Sequence, residues 1–171
     1  MSYVLETERL ILREFTLADA NFIIELVNTP GWLRFIGDRN IKIEEQAKEY
    51  LRNGPLKSYE MNGYGLSLVG LKPDGTPIGM CGIIKRDTLE NPDIGFAFLP
   101  EFEGKGLAFE IAYATLTYAN EVLKIPVIFA ITIPGNSRSI KLLEKMGFKY
   151  SNNFTSPTDN IELSLYKRQG P

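Results

Sequence analysis

Residues 91–148 read NPDIGFAFLPEFEGKGLAFEIAYATLTYANEVLKIPVIFAITIPGNSRSIKLLEKMGF. An apolar segment, 94–99, has the length and composition of a buried strand and runs into Pro100. Glu103-Gly104-Lys105-Gly106 follows. The spacing then predicts an amphipathic helix over 106–123, with Leu107, Ile111, Ala114, Tyr118 and Val122 on one stripe. A second apolar strand is predicted at 127–133. Asn136 next caps a helix over 139–146 that stops at Gly147. A helix start leaves its first N–H groups without partners, and the helix dipole adds partial positive charge there. Glycines let a ligand approach the backbone without meeting a Cβ. The order of elements sets these N–H groups beside the end of a hydrophobic strand. Such a site suits a phosphate-bearing cofactor with a long uncharged arm. The same glycines would also serve a turn that merely joins strand to helix.

Two commoner phosphate loops fail on spacing. A P-loop needs Gly four residues ahead of Gly-Lys-Ser/Thr, but Leu99 stands at the first Gly and Gly106 follows Lys105. A dinucleotide fingerprint needs a third small residue and an acid at the end of the next strand. Phe109 fills the first position, and VIFAITI carries no acid.

Outward from this segment, RLILREF (9–15) alternates as a strand. Thr16 and Asp19 form a capping-box signal ahead of a helix whose face is Phe22, Ile23, Leu26 and Val27. Residues 29–42 are rich in turn formers and read as irregular. A polar helix is expected over 43–51. Strand patterns at 65–71 and 77–85 flank Pro73-Asp74-Gly75 and predict a hairpin. Segments 148–151 and 161–167 would close the sheet. The order β-α-α-β-β-β-α-β-α-β-β predicts a mixed α/β sheet of six to seven strands rather than a doubly wound one, in one domain spanning 1–171.

Length and composition agree. The chain has 171 residues, 44% hydrophobic and 23% charged, as an ordinary soluble domain has. A net charge of −2 gives no basic surplus for general nucleic-acid binding. There is no histidine, which excludes His-dependent dyads and triads. The single cysteine, Cys81, permits no internal disulfide, fits a reducing cytoplasm, and reads as a small core residue within PIGMCGII. No metal site is expected, since zinc loses its usual ligands and no EF-hand spacing occurs, which leaves only a carboxylate-only magnesium or calcium site as an alternative. MSYVLETERL is not a signal peptide, and no apolar run is long enough to cross a bilayer.

The pattern F-x-F-L-P-E-x-x-G-K-G-x-A-x-E, followed by a strand and P-G-N-S-R-S-I-K-L-L-E-K-M-G-F, resembles the GNAT superfamily of N-acetyltransferases. Together with the opening TERLILREFTLADA, it is similar to the branch containing the ribosomal-protein N-terminal acetyltransferases. The resemblance covers nearly the whole chain and implies acetyl-CoA as co-substrate. Amides of Gly104, Lys105, Gly106, Leu107 and Ala108 would bind its diphosphate. The strand end Phe96, Ala97, Phe98 and Leu99 would part from the next strand. Its free groups, chiefly around Ala97 and Phe98, would pair with the pantetheine arm and polarise the thioester carbonyl. Asn136 would bond the pantetheine, and Ser139 would lie near the departing sulfur. The sequence departs from the family in two places. Glu103 stands where Gln or Arg is usual and should face solvent. Leu143 stands where many members carry a proton-donating Tyr, and the resemblance passes that role to Ser139. A helix-cap neighbour with no catalytic part is the other reading of Ser139.

The implied reaction is direct attack of a neutral amine on the thioester. An α-amine, with a pKa of about 7.7–8.0, needs less help than a lysine at about 10.4. Asp93 is the first candidate base, with Asp38 and Glu14 behind it, and a solvated strand-start residue is the alternative for Asp93. A modest base favours α-amines or small amines. Trp32, Phe35 and Asp38 would form an acceptor wall or a plug over one end of the core. Tyr59, Tyr64 and Lys85-Arg86-Asp87 are further acceptor-side candidates. A protein N-terminus and a small molecule both remain as acceptors, and a homodimer is possible by resemblance. Two other readings stand: a catalytically silent acyl-CoA-binding regulatory protein on the same fold, and a nucleotide-binding module using the glycine turn.

Overall fold

The computed structural model describes residues 2–170. Eight strands form one sheet: β1 (Tyr3–Glu6), β2 (Leu10–Glu14), β3 (Leu66–Leu71), β4 (Pro77–Ile84), β5 (Asp93–Phe98), β6 (Val127–Thr132), β7 (Lys149–Thr155) and β8 (Glu162–Gln169). Their spatial order is β1-β2-β3-β4-β5-β6-β8-β7. Every neighbouring pair is antiparallel except β5 with β6. The sheet has one strand more than expected because Tyr3–Glu6 pairs with β2 along its outer edge, and four residues are too few to show a period.

Six helices cover the two faces. They are α1 (Ala20–Val27), α2 (Pro30–Phe35), α3 (Glu44–Leu51), α4 (Lys57–Asn62), α5 (Leu107–Glu121) and α6 (Ser137–Lys145). One core cluster joins Ile94, Phe98, Ile128 and Ala130 of the sheet to Leu107, Ile111 and Leu116 of α5 and Leu143 of α6. The other joins Leu68 and Met80 to Ile23 and Leu26 of α1, Trp32 of α2 and Ala47 and Leu51 of α3.

Three stretches differ from the sequence reading. Residues 30–35 are helical, not irregular: the Thr29 hydroxyl accepts from the Trp32 N–H at 3.4 Å, and Pro30 sits in the first turn where a missing N–H costs nothing. After α3 the chain does not stop at Leu51 but passes through a π-helical turn, Arg52–Leu56, into α4. The wider turn accommodates Pro55, which would break a regular α-helix. On α5 the buried face is Leu107, Ile111, Ala112, Thr115, Leu116 and Ala119, while Val122 is exposed. The expected stripe leaves this face at its step of three, from Ile111 to Ala114, whereas the buried residues run in steps of four, Leu107-Ile111-Thr115-Ala119 and Ala112-Leu116.

The entry to α1 is tied to β2 by a buried pair. Arg13 Nη2 and Nη1 donate to the two oxygens of Asp19 at 2.8 and 2.9 Å, and the Thr16 N–H donates to Asp19 Oδ2 at 2.8 Å. Close contact between β4 and β5 is secured by glycine: a Cβ on Gly79 would stand 2.4 Å from the Ala97 carbonyl oxygen and 2.8 Å from the Phe98 ring. Gly79→Ala is expected to lower unfolding stability by roughly 1–3 kcal/mol, as overpacking does. Urea unfolding followed by circular dichroism measures this, and an unchanged midpoint would show that the strands part at no cost.

Candidate active site

β5 and β6 are in register only at Asp93 and Phe129, where the Phe129 N–H donates to the Pro92 carbonyl at 2.8 Å. Beyond this point the strands separate into a V. On the other side of β5 the Leu99 N–H donates to the Ile78 carbonyl at 2.9 Å. Pairing along an antiparallel ladder alternates, so Ala97 also directs its backbone groups to its partner Met80 on β4. The groups left facing the V therefore belong to Phe96 and Phe98. This corrects the expectation that Ala97 offers them.

Leu99-Pro100 leads out of β5 through a single 3-10 turn to Glu103. Gly104 and Gly106 both take positive φ, +74° and +75°, and Gly106 is the N-cap of α5. That backbone shape is open to glycine and strained for other residues, which explains both glycines. The first bond into α5 runs from the Glu110 N–H to the Gly106 carbonyl at 3.1 Å. Among the described residues the N–H groups of Gly104, Lys105, Gly106, Leu107, Ala108 and Phe109 have no carbonyl partner, as at a glycine turn leading into a helix start. A small anion fits this array.

The loop is braced from behind. Glu110 Oε1 accepts from the Thr7 hydroxyl at 2.7 Å and the Arg9 N–H at 2.9 Å, and Oε2 accepts from Arg9 Nε at 2.7 Å. Arg9 Nη1 donates onward to the Lys105 carbonyl at 3.1 Å. Burial pushes the Glu110 carboxyl up, but these donors outweigh it and hold it below its ordinary value. Neither Arg9 nor Glu110 was singled out from the sequence, although the glutamate closes the x-A-x-E motif. Lys105 extends outward, with its ammonium 5.6 Å from the Phe102 ring centroid.

On the opposite wall, Asn136 Oδ1 accepts from the Ser139 N–H at 3.3 Å and caps α6. Its amide nitrogen is left to donate elsewhere. Ser139 is half-buried, and its hydroxyl has no protein partner among the described residues. Leu143 is buried in the core and contributes packing only. Glu103 is exposed to solvent, and its carboxylate meets Arg138 across the mouth.

Asp93 is not a solvated strand-start residue. It is 1% exposed, and its two oxygens accept from Arg86 Nε at 2.8 Å and Nη2 at 3.3 Å. Burial raises its carboxyl above the ordinary range, and the charge and hydrogen bonds of Arg86 oppose that rise. Alternation along β5 puts Asp93 on the face of Gly95 and Ala97, beneath α1–α3. Tyr50 of α3 lies beside Arg86 and Arg39, whose charges partly offset the upward push of burial on its phenol. Arg39, Ile41, Gln46, Glu49 and Tyr50 line an open hollow of about 390 Å³ next to this group. A larger hollow, about 540 Å³, lies beside the β3–β4 turn, away from the V.

The remaining candidates fall into place. Trp32 is buried against both α1 and the sheet, so it plugs the core rather than lining a wall. Its indole nitrogen is the only buried side-chain polar atom without a partner among the described residues. Phe35 is half-buried under the Arg34 guanidinium, 4.8 Å above its ring. Asp38 is exposed and is 3.7 Å from Lys42 Nζ. Tyr59 is committed to structure: its hydroxyl donates to the Leu66 carbonyl and accepts from the Phe15 N–H at 3.0 Å, while burial pushes its pKa up to about 12. Cys81 is fully buried beside the Thr115 hydroxyl, and burial pushes its thiol up to about 12, so it is inert as a nucleophile. No metal-holding cluster of carboxylates and cysteine occurs among the described residues, and none of their helices is long and apolar enough to cross a membrane.

A V-shaped sheet with a glycine-started helix at its mouth defines a class. The chain belongs to the GNAT acetyltransferases: the family model described as "Acetyltransferase (GNAT) domain" matches residues 9–149. It is an acyltransferase, and its chemistry is acetyl transfer. It is 29% identical over 148 residues to the uncharacterised N-acetyltransferase YoaA of Bacillus subtilis strain 168, covering 85% of this chain and 82% of that one. The acetyltransferase of Agrobacterium tumefaciens superposes with a TM-score of 0.82 at 23% identity, covering 99% and 95% of the two chains. RimL, a ribosomal L7/L12 α-N-protein acetyltransferase solved in complex with coenzyme A, superposes with a TM-score of 0.80 at 14% identity over 98% of each chain.

Asp93 leaves a thermodynamic signature. Its native pKa lies above the unfolded value of about 3.9, so the native state binds more protons between the two. The stability this lends is complete below the unfolded value and is lost as pH rises through the native one. Against Asp93→Asn, the wild type should therefore lose relative stability on going from acid toward neutral pH. Chemical unfolding of both proteins at several pH values tests this, and a pH-independent difference would show that Asp93 keeps an ordinary pKa.

Proposed function

We propose that this chain, acting as one domain over 1–171, transfers the acetyl group of acetyl-CoA to a free amine by direct attack. The observation that carries the reading is the open V itself. The unpaired edge at Phe96 and Phe98 and the free amides from Gly104 to Ala108 form a run of donors and acceptors. A pantetheine arm with a diphosphate at its end matches that run: amide groups to the strand edge, negative charge to the helix start. Acetyl-CoA supplies the activated acetyl thioester when bound.

The chain's own groups divide the work. The Phe98 N–H, preorganised on a sheet strand, stabilises negative charge on the acetyl oxygen. Asp93, at the other end of β5 from Phe98, takes the proton from the attacking amine nitrogen through a chain of waters. Its raised pKa brings it closer to neutral pH, where a general base is most effective. Arg86 holds the carboxylate in place. Ser139 Oγ gives its proton to the sulfur as the carbon–sulfur bond breaks, and the Asn136 amide steadies the arm.

The acceptor reading favours an α-amine, of a protein N-terminus or a small molecule, entering over Arg39 and Tyr50. A carboxylate base deprotonates an α-ammonium more readily than a lysine. That RimL is an α-N-protein acetyltransferase supports the same direction.

Calorimetry with acetyl-CoA should show binding, and a panel of amines read by mass spectrometry should show acetyl transfer. The kcat/KM for an α-amine is expected to fall on acidification through the raised pKa of Asp93. Asp93→Asn should remove that limb and lower the rate by about 10²–10⁴-fold, as loss of a general base does. Ser139→Ala should lower kcat with little change in acetyl-CoA affinity. A clear preference for lysine side chains would defeat the α-amine reading.

A further inference from the structure

Glu103 places a negative charge at the lip of a site built for an anion. Its partner, Arg138, stands in the first turn of α6, on the opposite side of the V. Glu103 belongs to the β5–α5 wall and Arg138 to the β6–α6 wall, so this ion pair spans the mouth. Arg138 is 73% exposed along its side chain, and among the described residues its guanidinium has no hydrogen-bond partner but Glu103. It is a long cationic arm within reach of two places where an anion can sit.

An exposed carboxylate–guanidinium pair contributes little, because water competes for both partners. A phosphate offers the guanidinium more charge and a two-pronged hydrogen-bonding geometry. We infer that Arg138 is a phosphate-binding residue that Glu103 holds at rest, and that it moves from the carboxylate to the cofactor's diphosphate on binding. This rests on the acetyl-CoA reading. Glu103 then weakens cofactor binding in two ways: it occupies Arg138, and it repels the diphosphate once Arg138 has left. The exchange also gives position 103 a physical meaning. This chain supplies a donor from the facing helix and sets a competitor beside it.

Calorimetric Kd values for coenzyme A with wild type, Glu103→Gln, Arg138→Gln and the double variant decide the matter. Both side chains are exposed, so all four proteins should share one melting temperature. Arg138→Gln should weaken binding about tenfold, the scale of one charge-assisted hydrogen bond. Glu103→Gln should tighten it, and by clearly more in the wild-type background than in Arg138→Gln. Equal gains in the two backgrounds would mean that Arg138 never leaves Glu103, and would overturn the exchange. Dephospho-coenzyme A, which keeps the diphosphate but lacks the 3′-phosphate, should show the same loss with Arg138→Gln; an undiminished affinity would move the contact to the 3′-phosphate and sink the diphosphate assignment. If wild type binds coenzyme A and Arg138→Gln binds equally well, this inference alone falls. If wild type gives no binding, the acetyl-CoA reading falls with it.

Discussion

β5 and β6 lie side by side for one residue pair, Asp93 with Phe129, and then diverge. A sheet strand that loses its neighbour leaves backbone donors and acceptors unpaired, each at a cost of about 1–3 kcal/mol if water cannot reach it. Much else in the molecule is arranged around that divergence. α5 packs across β4 and β5 and fills the space behind the V with Leu107 and Ile111. The glycine turn brings the start of α5 to the mouth. α6 caps itself with Asn136 and sets Ser139 on the facing wall.

Three ion pairs stand around the opening, each in a different setting. Arg9 with Glu110 braces the glycine turn from outside and is helped by two further donors to the same carboxylate. Arg86 with Asp93 sits at the apex, where the carboxylate is buried and the guanidinium reaches solvent. That asymmetry lets burial win over the attraction and lift the Asp93 pKa. Arg138 with Glu103 crosses the mouth and is exposed at both ends. A carboxylate in the first setting is a strut, in the second a titrating group, and in the third a competitor for an arginine.

The sequence carried most of the segment from Asn91 to Phe148, because its signals are local. An apolar strand, two glycines needing positive φ, an amphipathic helix and an Asn cap can each be read within a few residues. The hidden parts depend on contacts across the sheet. Which of Phe96, Ala97 and Phe98 faces the V is set by the pairing phase with β4, and only a hydrogen bond such as Leu99 to Ile78 reveals it. Arg86 is seven residues from Asp93, and Arg9 is 101 from Glu110, so neither pairing has a sequence signature. Trp32 could be read as an acceptor wall or as a core plug because its neighbours are turn formers. Thr29 and Pro30 in fact start a short helix that turns the indole inward.

The divergence has a mechanical side. With a single in-register pair at the apex, the sheet consists of a five-stranded part, β1 to β5, and a three-stranded part, β6, β8 and β7, joined there by little backbone bonding. An extended ligand lying along β5 fills the gap as a missing ninth strand would. A molecule that supplies such a strand is also a wedge and a splint. It keeps the two parts apart at a fixed angle while knitting them into one continuous ladder, so the protein's stiffness becomes a property it shares with whatever it holds.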